Sequence, residues 1–348
     1  MNIPVNLGER SYEVVVEAGA RRQLAGLVAR LAPEAQACCI ITSERLLTEG
    51  WFDVDSGINQ YTITVPDGEE SKTIEVLGEV LEQLAEAKLS RKDLVISVGG
   101  GAVTDLAGFA AATYLRGISI IHIPTTLLAQ VDAAIGGKTG INLAAGKNLA
   151  GAFHQPLAVL CDLEVTTTLP PEEIRSGLGE VAKCWLLEGK SSSEIISSTP
   201  QGFIELAVGL KARIVSGDER ESGARALLNY GHTLAHAIEK LALAQGSPIR
   251  HGEAVAIGIR FAIRLASALG RVGDDEVKET DLVLAGFDLD FAIPTQFKTA
   301  DLIQAMSHDK KAHHDLTFVL ASREGFSVVS GIDREIVTRT LKEFRRDE

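Results

Sequence analysis

Hydrophobic and polar positions along the chain fall into two regimes. In the first half, short runs rich in apolar and β-branched residues alternate with stretches of helical period. Ala37–Thr42, Tyr61–Val65, Leu94–Val98, Ser119–Ile123 and Leu157–Asp162 have the length and make-up of strands. Between the second and third, Ile74, Leu77, Leu81, Leu84 and Ala85 recur on one face of a helix predicted over Thr73–Lys88. Arg22–Leu31 repeats that pattern and stops before Pro33. Such alternation predicts a mostly parallel sheet covered on both faces. After Pro170-Pro171, the runs Glu172–Leu187, Phe203–Val215, Arg225–Ala242, Gly252–Leu269 and Asp275–Ala285 follow helical period, with few β-branched blocks before Leu316–Leu320. The expected architecture is an α/β N-terminal domain with a mostly parallel, Rossmann-like sheet over residues 1–168. A mainly α-helical C-terminal domain follows over 169–348. Serine-rich segments around 191–200 predict an exposed loop, and a ligand cleft is expected between the domains at the carboxyl ends of the strands.

Composition narrows the class. Of 348 residues, 45% are hydrophobic and 23% charged, the balance of a folded protein long enough for about two domains. The start of the chain lacks a basic stretch followed by an apolar block, and the most apolar region, 94–137, is interrupted by Asp105, Arg116, His122 and Asp132. Neither a secretory signal nor a membrane span is expected, and a cytoplasmic location is. Cys38, Cys39, Cys161 and Cys184 form no CxxC pair and are expected to be buried thiols. The formal net charge of −13 argues against nucleic-acid and membrane partners. Its distribution qualifies what it says about small anions: residues 106–161 carry Asp132 as their only acid, against Arg116, Lys138 and Lys147.

Candidate chemistry sits at three places. Strand Leu94–Val98 runs into Gly99-Gly100-Gly101 and a helix opening at Ala102–Asp105, a turn whose amides can approach a pyrophosphate. It is neither a GxGxxG fingerprint nor a Walker loop. Lys138 follows Gly136-Gly137 and Lys147 follows Gly146, placing ammonium groups beside flexible backbone in apolar, irregular surroundings, as an anion site would. In the second half, His232 and His236 lie one helical turn apart, His251 opens another helix, and Glu180 and Lys183 share a face at i, i+3. A carboxylate with two imidazoles suits a catalytic zinc with an open position; spacing leaves open which two of the three histidines serve.

Taken together, several segments resemble the 3-dehydroquinate synthase family of the sugar phosphate cyclases. They are Gly99–Gly117, Pro124–Asp132, Ile135–Lys138, Gly146–Asn148, Ser176–Lys183, Arg225–His236, His251–Glu253 and Asp309–Lys311. The resemblance implies a homodimeric carbon–oxygen lyase of the shikimate pathway, bound to NAD and one divalent ion, zinc or cobalt. It assigns Glu180, His232 and His251 to the metal. NAD contacts map to Asp67, Gly68, Glu69, Glu70, Ser71, Lys72, Gly101, Ala102, Val103, Thr104, Asp105, Thr125, Thr126, Val165, Thr166, Thr167 and Thr168, with Lys138 and Lys147 where cofactor and substrate meet. Substrate contacts map to Arg116, Asp132, Asn148, Lys183, Lys211, Arg225, Asn229, His236 and one of Lys310 and Lys311.

The implied reaction converts 3-deoxy-D-arabino-heptulosonate 7-phosphate to 3-dehydroquinate and phosphate. It proceeds by transient oxidation, phosphate elimination, reduction, ring opening and aldol closure. Alternatives are a sister sugar phosphate cyclase, or a polyol dehydrogenase of glycerol dehydrogenase type, for which the basic residues would have no use. Gly179, Ala182 and Ala235 depart from the family pattern as small or apolar exchanges, and the 187–211 segment is short for it.

Overall fold

The computed structural model describes residues 1–48, 53–307 and 315–347. The chain divides into two compact units, Met1–Ile174 with Ala207–Arg220, and Arg175–Leu206 with Glu221–Glu348. Its strands are β1 (Asn2–Val5), β2 (Tyr12–Glu17), β3 (Ala37–Ser43), β4 (Asn59–Val65), β5 (Leu94–Gly99), β6 (Ser119–Pro124), β7 (Lys138–Leu143), β8 (Gly146–Phe153), β9 (Ala158–Asp162), β10 (Asp315–Ser322) and β11 (Gly325–Asp333). The helices are α1 (Leu24–Leu31), α2 (Glu44–Thr48), α3 (Ile74–Glu86), α4 (Gly101–Thr113), α5 (Pro171–Leu187), α6 (Ser192–Ile195), α7 (Pro200–Gly217), α8 (His232–Ala244), α9 (His251–Ala268), α10 (Asp274–Gly286), α11 (Thr299–Met306) and α12 (Arg334–Asp347).

The first unit is built on a seven-stranded sheet in the order β1-β2-β9-β6-β5-β3-β4. Its strands pair in parallel except β1 with β2. All six residues of β5 are buried, as expected of a strand covered on both faces. The period-two alternation of β3 divides its side chains between two cores. Cys39 and Ile41 pack with α3 and α4, whereas Cys38 and Ile40 pack with α1. Helix α3 begins where its sequence signals it: the Thr73 side chain accepts a hydrogen bond from the Val76 amide at 3.2 Å. All four cysteines are buried thiols.

Several local expectations are corrected. Lys138, directly after Gly137, opens β7, and Gly146-Lys147 open β8, so both lysines stand on an antiparallel hairpin rather than in irregular loops, and both are exposed. Two other glycines, Gly140 and Gly151, serve the pairing: a Cβ on Gly151 would stand 2.1 Å from the Thr139 carbonyl oxygen. Residues 191–200 contain α6, started by a capping box in which the Glu194 side chain accepts from the Ser191 amide at 2.8 Å. The predicted helix Arg225–Ala242 is broken between a 3-10 turn over 224–229 and α8, because Gly231 takes φ +82. Residues 207–220 group with the first unit rather than continuing the second. Asn6 N donates to Ser216 Oγ at 2.8 Å, Arg10 pairs with Glu219 at 2.6 Å, and Lys211 pairs with Asp132.

One buried pair gives the first unit a specific acid response. Ser97 and His122 sit opposite each other on β5 and β6, with Oγ and Nδ1 2.6 Å apart. Burial, with His154 adding to it, lowers the His122 pKa to about 3. A histidine with a depressed folded-state pKa contributes stability that is complete above its unfolded value of 6.5 and lost as pH falls toward 3. Urea midpoints measured across that window are expected to fall less steeply in His122→Gln than in the unaltered protein; equal slopes would contradict this assignment.

Candidate functional site

In the second unit, α5, α8 and α9 bring Glu180, His232 and His251 together, with one ligand atom from each within 4.8 Å of the others. Glu180 Oε1 lies 3.5 Å from His232 Nε2 and 3.4 Å from His251 Nε2. Ligands about 2.0–2.1 Å from a tetrahedral zinc stand roughly 3.3 Å apart, so these separations suit a shared ion. Glu180 is 1% exposed, and its Oε1 has no hydrogen-bond partner among the described residues. A buried carboxylate oxygen left in that condition is costly unless a cation meets it. Its other oxygen takes a charge-assisted hydrogen bond from the buried Lys183 ammonium.

The sequence folds this way because each ligand adjoins a glycine that lets backbones touch. A Cβ on Gly179 would stand 2.3 Å from the Gly252 carbonyl oxygen, and one on Gly252 would stand 1.8 Å from the Ser176 carbonyl oxygen. Glycines at these positions therefore allow α5 and α9 to meet beside Glu180 and His251. Gly231, directly before His232, approaches α9 in the same way, since a Cβ on Gly258 would stand 1.9 Å from the Gly231 carbonyl oxygen. The departure at Gly179 is thus more than a small-for-small exchange, because a methyl group there would meet the α9 backbone.

Each imidazole is also held from behind. His232 Nδ1 lies 3.2 Å from the Tyr230 carbonyl oxygen, and His251 Nδ1 lies 3.3 Å from Glu239 Oε1. Burial works to raise the Glu180 pKa, but the Lys183 ammonium together with the His251 and His232 rings outweighs it and keeps the carboxyl well below the usual range. Burial, reinforced by Lys183, lowers His232 to about 3, leaving a neutral donor. Burial also works to lower His251, but the Glu180 and Glu239 carboxylates around its ring raise it to about 10. A bound dication would compete with that proton. His236 is exposed, with its ring 5.3 Å from that of His232, and it is not one of the three converging groups. Arg225 is buried, and Asn229 Nδ2 donates to Glu221 Oε1 at 2.9 Å.

The first unit assembles a separate polar cluster. Gly100 caps α4 without any side-chain cap, and the turn is close-packed: a Cβ on Gly100 would stand 3.1 Å from Thr126, and one on Gly101 would stand 3.2 Å from Ala133. Open first-turn amides behind such a turn fit a pyrophosphate. Asp67, Gly68, Glu69 and Glu70 are exposed at a 3-10 turn that ends on buried Ser71 and Lys72. Lys72 Nζ donates to Asp105 at 2.6 Å and to Asn148 Oδ1 at 2.5 Å. Burial dominates Asp105 and raises its pKa to about 6 even against Lys72. Lys211 Nζ donates to both the side chain and the carbonyl of Asp132.

Among the other expected positions, Ala102 is half-buried, while Val103, Thr104, Thr125 and Val165 are buried. Thr166 is half-buried; Thr167, Thr168 and Arg116 are exposed. Lys310 and Lys311 lie outside the described residues. Sequence reasoning missed Asn142, whose Oδ1 accepts from the Asn148 amide at 2.9 Å and whose Nδ2 donates to Glu69 at 2.6 Å. It also missed Glu239, although seven residues after His232 places it on the same helical face, the one signal that could have found it.

Residues 62–176 match the 3-dehydroquinate synthase N-terminal family model, and residues 177–312 match the C-terminal one. A protein of Amycolatopsis mediterranei S699 named as an aminodehydroquinate synthase is 45% identical, covering 99% of this chain and 95% of its own. The 3-dehydroquinate synthase of Cutibacterium acnes DSM 16379 / KPA171202 is 43% identical, covering 90% of this chain and 89% of its own. Among solved structures, the 2-epi-5-epi-valiolone synthase ValA of Streptomyces hygroscopicus subsp. jinggangensis 5008, with NAD+ and Zn2+ bound, superposes with a TM-score of 0.80. It is 25% identical, and the match covers 98% of this chain and 99% of that one.

Proposed function

The chain belongs to the 3-dehydroquinate synthase family, and from that premise we infer that it converts 3-deoxy-D-arabino-heptulosonate 7-phosphate to 3-dehydroquinate and phosphate. The observation that carries the reading is the convergence of Glu180, His232 and His251 on one point. Identity to a named 3-dehydroquinate synthase is 43%, against 25% for the sister cyclase ValA, which supports the dehydroquinate reaction over that alternative.

In this reading Glu180, His232 and His251 hold the divalent ion. The turn Gly101–Asp105, the segment Asp67–Lys72, Thr125, Thr126 and Val165–Thr168 hold NAD. When bound, NAD supplies transient oxidation of a secondary alcohol and its later reduction, and the divalent ion supplies positive charge toward the substrate's oxygens. The remaining work falls to the protein's own groups. Arg116, Lys138, Lys147, Lys183, Lys211 and Arg225 supply cationic donors for the phosphate and carboxylate, with one of Lys310 and Lys311 assigned the same task. Asp132, paired with Lys211, orients that ammonium. Asn148 and Asn229 position hydroxyls, and the exposed ring of His236 can take up or return a proton near the triad. A homodimer in the cytoplasm and a lyase classification complete the proposal. No described helix is long and apolar enough to cross a membrane.

The relative named as an aminodehydroquinate synthase, matched at 45% identity over 99% of this chain, favours a second reading in which the substrate carries an amino group. Phosphate release from the hydroxyl substrate and from its amino-substituted analogue separates the two. The first reading expects the higher kcat/KM with the hydroxyl compound, and a reversed preference supports the second. Net NADH from a simple polyol, with no phosphate released from either compound, would contradict both.

A further inference from the structure

Nothing in the family resemblance assigns a role to Glu239, yet its carboxylate sits behind a metal-ligand candidate. Helix α8 carries it two turns after His232, and its Oε1 lies 3.3 Å from His251 Nδ1, the ring nitrogen opposite the one that faces Glu180. An imidazole donates to a metal through one nitrogen only when the other carries the proton, and an acceptor at that second nitrogen fixes both tautomer and ring orientation. The two histidines obtain that acceptor differently. For His232 it is the main-chain carbonyl of Tyr230, at 3.2 Å, which a side-chain substitution leaves in place. For His251 it is a side chain. His251 is also the looser of the two rings, with its side chain 26% exposed against 12% for His232, so packing alone constrains it less.

Charge adds to orientation. The Glu239 side chain is 14% exposed, and it places a second carboxylate on the imidazole that already faces buried Glu180. Two acids around one ring repel each other less when a dication lies between imidazole and carboxylate.

We propose that Glu239 is a positioning residue for the metal site: it holds the Nδ1 proton of His251 so that Nε2 faces the point shared with Glu180 and His232. This rests on the reading of those three residues as the metal ligands. The test is Zn2+ affinity of the purified full-length protein, measured by competition with a chromophoric chelator, for the unaltered chain, Glu239→Ala, Glu239→Gln and His251→Ala. Loss of an outer partner of this kind weakens metal binding by about 10–100-fold. Glu239→Ala is expected to fall in that range, with Glu239→Gln closer to the unaltered protein because its amide oxygen still accepts from Nδ1. Turnover by Glu239→Ala should recover as Zn2+ is raised, which a loss of folding would not permit. Should His251→Ala weaken binding while both Glu239 variants stay within twofold of the unaltered protein, the role of Glu239 is refuted and the metal site stands. Should His251→Ala also leave affinity unchanged, the metal site itself is misplaced, and the inference falls with it.

Discussion

Replacing Glu180 with alanine is expected to strip the protein of its divalent ion and reduce turnover by at least about 10³-fold. The magnitude follows from what a metal contributes to charge stabilisation in a transition state, several kcal/mol, with each 1.36 kcal/mol worth a factor of ten. Glu180 is the anionic member of the triad, and its buried Oε1, without a hydrogen-bond partner among the described residues, is the atom within 3.5 Å of both imidazoles. The Glu180→Gln variant keeps the size and removes the charge, so it separates lost ligation from lost packing. Metal content by elemental analysis and phosphate release should fall together in both variants. A Glu180→Ala protein that retains stoichiometric metal and full activity would place the ion elsewhere.

The second large effect is steric. A methyl group added by Gly252→Ala would stand 1.8 Å from the carbonyl oxygen of Ser176, a backbone atom that no rotamer change can move aside. Helices α5 and α9 must then separate, and overpacking of this kind costs about 1–3 kcal/mol, or more where backbone is the obstacle. Because His251 precedes that glycine and Glu180 follows the one opposite, separation also spreads the triad. Gly252→Ala is therefore expected to lower the urea midpoint and weaken Zn2+ binding in parallel. Gly246→Ala, where a Cβ would meet nothing within 4 Å but φ is +69, is expected to affect stability without affecting the metal. Unchanged Zn2+ affinity in Gly252→Ala would show that the helix contact does not set the ligand geometry.

Much of the fold was legible because the central strands are buried on both faces and therefore read as mostly apolar runs. Leu94–Val98 and Ser119–Ile123 needed no tertiary information. The hairpin β7–β8 was hidden for the opposite reason. Its sequence is rich in Gly, Ala and Asn, and its pairing depends on backbone approach at Gly140 and Gly151 rather than on β-branched side chains. The break at Gly231 was hidden because hydrophobic period continues across it, while its cause, the touch with Gly258, lies 27 residues away in the sequence. In the site, helical spacing narrowed the metal ligands to Glu180 and two of three histidines. Spacing alone could not exclude His236, one turn from His232; the geometry brings His251 to Glu180 instead. The charge sum was similarly blunt. A net −13 coexists with Lys183, Lys211 and Arg225 held in buried positions, where their fields act locally.

In the proposed function, NAD and a divalent ion serve a phosphate-eliminating cyclisation without net redox change. Product stoichiometry tests it most directly: incubate the Zn2+-loaded protein with the heptulosonate phosphate and NAD+ well below the substrate concentration, then quantify phosphate, carbocycle by NMR and NADH by absorbance. One phosphate and one 3-dehydroquinate per substrate consumed, many turnovers per NAD+, and no accumulating NADH are expected. Turnover that stops when NAD+ is exhausted, with NADH formed one for one and no carbocycle, would contradict it.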